Sequence, residues 1–255
     1  MKTAHEILQD ATHENFTYVD YRNGKPFDVS IEEPDAAPPV LTLHPGLNEV
    51  QLAELERQLP APIPIEIRNL LLSCSGFDLY PDVSFTDYNT WPYGHVLAHV
   101  MVLANDGCGN HWVIEVDPIS GKWEHVWYGC HDPCNLTYQC ETLSEFIEGI
   151  LDFSRFEKCE MGHRSILEQK PAECEAQVVS RIRESRMDDD VLSSFVSGLN
   201  DNYAVVDLRN AKAGDCFNVW GISQDQPIKR HDHELLFAYR KKTTFWQRLC
   251  GRRGK

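Results

Sequence analysis

Cysteine and histidine side chains recur near the middle of the chain at spacings that could bind a metal ion. Cys108 and His111 lie three residues apart, and Cys130 and Cys134 bracket a second short segment, with Cys140 beyond it. Thiolates and imidazoles are the ligands that structural zinc prefers. Neither segment has the paired C-x-x-C spacing of a zinc ribbon, and turns explain both without metal. We therefore expect a metal-free protein, with a zinc-binding module as an alternative.

A glycine-rich turn is predicted over Asp106, Gly107, Gly109 and Asn110. Two glycines permit positive φ, and the polar side chains could converge on a cation. An EF-hand would need a longer series of ligands that ends in Glu, and this series is absent. The pattern favours a tight β-turn between two strands.

The sequence lacks the motifs of several common enzyme classes. It contains no G-x-S-x-G, no H-E-x-x-H and no phosphate-binding glycine loop. The segment His231-Asp232-His233-Glu234 has the composition of a ligand set, but a solvated strand edge explains it better. His131-Asp132 could pair a base with its orienting acid, yet no nucleophile is specified. We expect a protein without catalytic residues and without a cofactor.

The charges are distributed unevenly along the 255 residues, which together carry a net charge of −15. Residues 1–160 have 8 basic and 26 acidic side chains, a net charge of −18, whereas residues 161–255 have 16 basic and 13 acidic ones, a net charge of +3. A surface this negative repels the phosphates of nucleic acids and attracts a basic protein. We expect a basic protein partner and no nucleic acid.

The composition is that of an ordinary globular protein, with 42% hydrophobic and 25% charged residues. The apolar runs are too short to span a bilayer, and the first ten residues lack the core of a signal peptide. We expect a cytoplasmic protein that does not enter membranes. Its nine cysteines are then free thiols by default.

Acidic and aromatic side chains are interspersed between Gly76 and His95. Pro81 and Pro92 interrupt this stretch, and its aromatic residues follow neither the helix nor the strand period, which predicts a surface loop. Aromatic anchors among acids are typical of a protein-binding hot spot. The predicted partner-binding residues are Asp78, Asp82, Phe85, Asp87, Tyr88 and Trp91. Farther along, Trp123 and Trp127 are four residues apart, which predicts one shared strand face.

Two helices are predicted after residue 45. Asn48 and Gln51 have the spacing of a capping box, which opens a helix that runs to about Leu59. Pro64 suits the first turn of the second helix, and Gly76 should end it.

Strands and a third helix follow. Residues 96–103, 112–117 and 123–128 predict an antiparallel meander that ends at Gly129 and is followed by a loop. Thr142 and Glu145 form a capping box that opens the last helix. This order of elements predicts an α+β domain over residues 40–156.

The two ends of the chain are less regular. Residues 1–40 are predicted as an N-terminal extension, with a helix over 3–13 and a hairpin turn at Asn23-Gly24. Residues 160–255 are predicted as a mildly basic C-terminal region of mixed type. Its predicted helices cover 171–187 and 190–199, its predicted strands cover 203–208, 216–222 and 234–239, and its end, 245–255, is basic.

Three segments of the predicted domain resemble the SUKH superfamily of Smi/Knr-type proteins. The first extends from Pro45-Gly46-Leu47 to Ser75-Gly76, the second is the turn before Trp112, and the third joins His131-Asp132 to the last helix. Asn110 departs from the resemblance, because the family often has an acid there. The resemblance assigns structural roles to Gly76, Asp106, Gly107, Gly109, Asp117, His131 and Asp132.

The resemblance implies an antiparallel sheet flanked by helices and a function in binding rather than catalysis. The superfamily includes fungal regulators of cell-wall synthesis and many bacterial toxin-immunity proteins. We therefore expect an immunity protein that neutralises a bacterial toxin by binding and occlusion, its acidic face covering the toxin's basic substrate site. A regulatory or scaffold protein of cell-envelope synthesis is the alternative.

Overall fold

The computed structural model describes most of the chain, namely residues 2–16, 19–20, 25–26, 39–79, 81–91, 94, 96–132, 134–155, 172–185, 188–219, 228–232 and 234–240. Its helices are α1 (Ala4–Ala11), α2 (Glu49–Gln58), α3 (Ile65–Ser73), α4 (Leu143–Ser154), α5 (Val179–Glu184) and α6 (Asp190–Ser197). Its strands are β1 (Val19–Asp20), β2 (Lys25–Pro26), β3 (Thr42–Pro45), β4 (Cys74–Asp78), β5 (Val83–Ser84), β6 (Asp87–Tyr88), β7 (Val100–Asn105), β8 (His111–Val116), β9 (Trp123–His131), β10 (Cys134–Thr142), β11 (Ala172–Glu173), β12 (Gln177–Val178), β13 (Tyr203–Asp207), β14 (Asp215–Asn218), β15 (Lys229–Arg230) and β16 (Leu236–Arg240). These helices and largely antiparallel sheets confirm the predicted α+β class.

A central sheet with the strand order β11-β14-β10-β9-β8-β7-β6 organises the molecule. Its pairs are antiparallel except for β11 and β14, which are parallel. β6 to β10 come from the segment predicted as the central domain, whereas β11 and β14 come from the C-terminal region. Both regions therefore contribute to one sheet. A C-terminal sheet, β12-β13-β16-β15, and a small sheet, β3-β4-β5, lie beside it.

Capping boxes begin α2 and α4, as the sequence predicts. Asn48 Oδ1 accepts from the backbone N–H of Gln51 at 2.9 Å, and Gln51 Oε1 accepts from the backbone N–H of Asn48 at 2.9 Å. The same reciprocal bonds join Thr142 and Glu145. Each box satisfies amide donors that the first helical turn leaves without partners.

The prediction that Gly76 ends the second helix is wrong. α3 ends at Ser73, and the chain enters β4 directly at Cys74. Gly76 lies within β4, where a Cβ atom would come within 2.1 Å of the carbonyl oxygen of Val83 in β5. Glycine at this position therefore allows β4 and β5 to lie close together, and it does not end a helix.

The predicted loop after Gly129 is also wrong, because β9 continues to His131 and forms a hairpin with β10. Along β10 the apolar Leu136, Tyr138 and Cys140 alternate with the polar Thr137 and Gln139, and all five side chains are buried. This alternation of apolar and polar residues is the sequence signal of a strand.

Trp123 and Trp127 lie on opposite faces of the central sheet, contrary to the prediction of one shared face. The register between β8 and β9 shifts at His125, which has φ of 59°. This residue is a β-bulge, and the extra residue reverses the alternation of the side chains beyond it. Trp123 consequently packs in one core and Trp127 in another.

Each face of the central sheet is covered by a different core. The first core joins one face to α1, α3 and α4, with Leu8, Leu71 and Phe146 fully buried. The second core joins the other face to the C-terminal region, and Trp127 packs there against Phe237, with ring centroids 6.1 Å apart. A third cluster packs the outer face of the C-terminal sheet against α5 and α6.

Several predictions for the chain ends need correction. Residues 171–187 contain β11, β12 and α5 rather than one long helix. His231 and Asp232 lie in a turn between β15 and β16, not on a strand edge. The hairpin turn at Asn23-Gly24, His233 and the basic end 245–255 lie outside the described residues.

Candidate partner-binding surface

The turn that follows β7 is held by a buried network of hydrogen bonds. The carboxylate of Asp106 accepts from the side-chain amide of Asn110 at 2.6 Å and from the hydroxyl of Tyr128 at 2.9 Å. Asn110 Oδ1 in turn accepts from the backbone N–H of His131 at 2.9 Å and lies 2.7 Å from its Nδ1. Gly107 and Gly109 have φ of 73° and 90°. These contacts join the family-type residues of β7, β8 and β9 into one structural unit.

The carboxylate of Asp106 is the charged acceptor within this network. Burial alone would raise its pKa, but the hydrogen bonds from Asn110, Cys108 and Tyr128 outweigh burial and lower the pKa. Asp117 also serves its own turn, because its carboxylate accepts from the backbone amides of Ile119 and Ser120 at 2.7 Å. Asp132 is exposed beside this unit.

The aromatic anchors predicted for partner binding are mostly buried. Phe85 is fully buried in the first core, Trp91 is 6% exposed in the second, and Tyr88 is half-buried with its hydroxyl 2.9 Å from His99 Nδ1. The expectation that Phe85 and Trp91 are available at the surface is therefore wrong. Trp91 covers Gly129, whose Cβ, if present, would lie 2.0 Å from the indole ring.

The acidic members of the same stretch remain at the surface. Asp82 and Asp87 are exposed, and Asp78 is exposed while its carboxylate lies 2.6 Å from His44 Nε2. The three carboxylates are thus the exposed members of the predicted surface.

Four cations of residues 1–160 already have partners within the chain. Arg57 pairs with Glu54, Arg68 with Glu49, and Arg155 with both Glu14 and Asp152. Lys2 pairs with Asp10 at 2.7 Å. The charges of these cations are therefore balanced by acids other than Asp82 and Asp87.

The residues considered for the alternative zinc site do not form a metal centre in the part of the chain that the structure describes. There, no three His, Cys, Asp or Glu side chains lie close enough together to hold a metal ion. Cys108 is exposed in its turn, and His131 is engaged with Asn110. Burial raises the pKa of the Cys130 thiol, which disfavours the thiolate that zinc requires.

A cleft between the central sheet and the C-terminal sheet was not predicted. It consists of two adjoining cavities of about 380 and 570 Å³, which share Glu124, His125 and Asp232 in their walls. The cleft could not be found from the sequence, because its walls combine the bulge at His125 with Ile228, Arg230 and Leu235 from the C-terminal region.

Residues 46–149 match the model of the SMI1 / KNR4 family (SUKH-1). This match extends from the start of α2 into α4 and includes the Asp106 turn and the β9–β10 hairpin. No curated protein and no solved structure matches the chain. This match supports membership of the SUKH superfamily for residues 46–149, as the sequence resemblance indicates.

The family as a whole fits an immunity role or a role in cell-wall regulation, and its members bind partners. α1 and the C-terminal region lie outside the matched segment. Among the helices that the structure describes, none is long and apolar enough to cross a membrane.

Proposed function

We propose that the chain is a cytoplasmic immunity protein that neutralises a bacterial toxin by binding it and covering its basic substrate site. The protein catalyses no reaction in this proposal and needs no cofactor. Membership of the SUKH superfamily supports a binding role. The toxin is the finer part of the proposal, and it rests on the charge of the molecule.

The observation that carries the proposal is the unbalanced acidic surface of residues 1–160. Their net charge is −18, and the cations Lys2, Arg57, Arg68 and Arg155 are already paired within the chain. Such a surface accelerates encounter with a basic protein and repels nucleic acid. An acidic protein that covers a nucleic-acid or phosphate site therefore competes directly with the substrate of that site.

Co-expression with the toxin domain encoded next to this gene tests the proposal. Cells that produce the toxin alone should stop growing, and cells that also produce this chain should grow. The purified chain should form a complex with the toxin and inhibit it in vitro. A chain that neither binds the toxin nor restores growth would contradict the proposal and leave a regulatory role in cell-envelope synthesis as the alternative.

A further inference from the structure

The cleft between the central and C-terminal sheets has the dimensions of a ligand site. Its two cavities, about 380 and 570 Å³, fall in the range typical of small-molecule pockets. Glu124 and His125 of β9 lie in both walls, and Asp232 approaches from the turn after β15. The central sheet and the C-terminal region together are needed to form it.

The arginines in the cleft are committed to partners of their own. Arg209 donates to Asp189 at 2.6 Å and pairs with Asp207, while Arg230 pairs with Glu115 and donates to the carbonyl of Glu234 at 2.8 Å. Their positive charges are therefore balanced by acids other than Glu124 and Glu141.

Glu124 and Glu141 line the larger cavity. Neither carboxylate has an ion-pair partner among the described residues. The cleft consequently presents an excess of negative charge to whatever enters it.

Polar atoms that lack partners also converge on the larger cavity. Tyr138 lines it and is only 8% exposed, yet its hydroxyl has no hydrogen-bond partner among the described residues. His125 and His231 line the same cavity, and their Nδ1 atoms are without a hydrogen-bond partner among the described residues. A hydroxyl on a largely buried side chain is nearly always hydrogen-bonded, so the Tyr138 hydroxyl points to a ligand that would satisfy it.

The smaller cavity supplies an apolar wall beside Glu124, which it shares with the larger cavity. Val96, Leu97, Val116 and Ile228 line the smaller cavity. Aliphatic walls that lead to carboxylates and hydrogen-bond acceptors suit a cationic head group on a methylene stem, because the stem packs against the wall while the charge reaches the acceptors.

We infer that this cleft binds a guanidinium or ammonium group carried on an aliphatic stem. The source of that group rests on the proposed function, and we assign it to an arginine or lysine side chain of the basic protein partner. Glu124 and Glu141 would pair with the cation, and the hydroxyl of Tyr138 would accept one of its N–H bonds.

Calorimetric titration of agmatine, a guanidinium on a butylamine stem, into the full-length protein tests the cleft itself. Wild-type protein should bind agmatine, and it should not bind N-butylurea, which has the stem without the charge. The double variant Glu124→Gln, Glu141→Gln should bind agmatine about tenfold more weakly or worse, as expected for losing two charged hydrogen bonds. Glu66→Gln, at an exposed acid of α3 outside the cleft, should bind as the wild type does.

Equal binding of agmatine by the wild type and the double variant, or no binding at all, would overturn the inference. Thermal unfolding of each variant checks that it is folded. Competition then tests the source of the cation, because saturating agmatine should displace a toxin partner whose side chain occupies the cleft. A toxin complex that forms unchanged in saturating agmatine would overturn the assignment to a partner side chain. A protein that binds agmatine but no toxin would contradict the proposed function and leave the cleft intact.

Discussion

The indole of Trp127 donates its Nε1–H to Glu115 Oε1 at 2.8 Å, inside the core that joins the central sheet to the C-terminal region. The second carboxylate oxygen of Glu115 is bound by the guanidinium of Arg230 from β15. Glu115 is only 8% exposed. One buried carboxylate thus links two strands of the family segment to the C-terminal sheet.

Removing the cation from this link should destabilise the protein strongly. In Arg230→Met the carboxylate of Glu115 stays buried without its counterion, and we expect the free energy of unfolding to fall by about 3 kcal/mol or more. The matched control is Arg57→Met, which breaks a largely exposed pair with Glu54 and should cost below about 1 kcal/mol. Urea unfolding followed by tryptophan fluorescence measures both, and equal losses in the two variants would contradict a special role for the buried link.

Because the central sheet and the C-terminal region share a core, removing the C-terminal region should disturb the folding of the remaining chain. The sequence predicts a domain over residues 40–156, but β14 pairs with β10, and Phe217 and Phe237 pack in the core around Trp127. A chain of residues 1–156 keeps α1 and loses every contact with the C-terminal region, including these and the Arg230–Glu115 pair. We expect it to bind a hydrophobic dye and to lose the sharp unfolding transition of the full chain. A cooperative transition at the same midpoint would show instead that the family segment is complete without the C-terminal region.

Local signals in the sequence predicted much of the fold. The capping boxes at Asn48 and Thr142 depend only on residues three apart, so both helix starts were predicted and confirmed. The order of helices and strands in residues 46–149 carries the family resemblance, and the family model confirms it.

The features of the fold that the sequence did not predict depend on contacts between residues that are far apart in the chain. The burial of Trp91 requires Gly129, far along the chain, to leave space for the indole ring. The opposite orientation of Trp123 and Trp127 requires a bulge at His125, where a non-glycine residue adopts positive φ. The walls of the cleft combine this bulge with Ile228, Arg230 and Leu235 of the C-terminal region. No periodicity within one segment reports such contacts.

Replacing His125 and Gly129 should have opposite effects on stability. His125 has φ of 59°, which glycine adopts more readily, so His125→Gly should leave the free energy of unfolding unchanged or raise it by about 0.5–1 kcal/mol. In Gly129→Ala the new Cβ would lie 2.0 Å from the ring of Trp91, which should cost about 2 kcal/mol or more. Thermal unfolding compares them, and a destabilising His125→Gly would mean that the imidazole contributes more than the strain costs.

Acid should weaken the link between Asp189 and Arg209. The hydrogen bond from Arg209 lowers the pKa of Asp189 to about 2 from its ordinary value of 3.8. Because the pKa of Asp189 is lower in the folded state than in the unfolded state, its pairing with Arg209 stabilises the fold fully above the unfolded pKa. This stabilisation is lost as the pH falls through about 2. Asp189→Asn should therefore flatten the fall of stability between the two pKa values. Asp190→Asn, one residue along, is the control, and an identical acid limb in wild type and Asp189→Asn would contradict the assignment.

The exposed carboxylates of Asp82 and Asp87 should govern how fast a basic partner is found. Charges at an exposed rim act mainly on the association rate, and salt screens them over about 10 Å at 0.1 M. The double variant Asp82→Asn, Asp87→Asn should associate about threefold more slowly at low salt, keep its dissociation rate, and lose part of its salt dependence. The charge-matched control is Asp188→Asn, Asp190→Asn, two exposed acids beside α6. Binding kinetics against the toxin partner at two salt concentrations test this prediction. Equal slowing in both double variants would assign the effect to net charge alone. Unchanged rates in Asp82→Asn, Asp87→Asn would exclude these two residues from the interface.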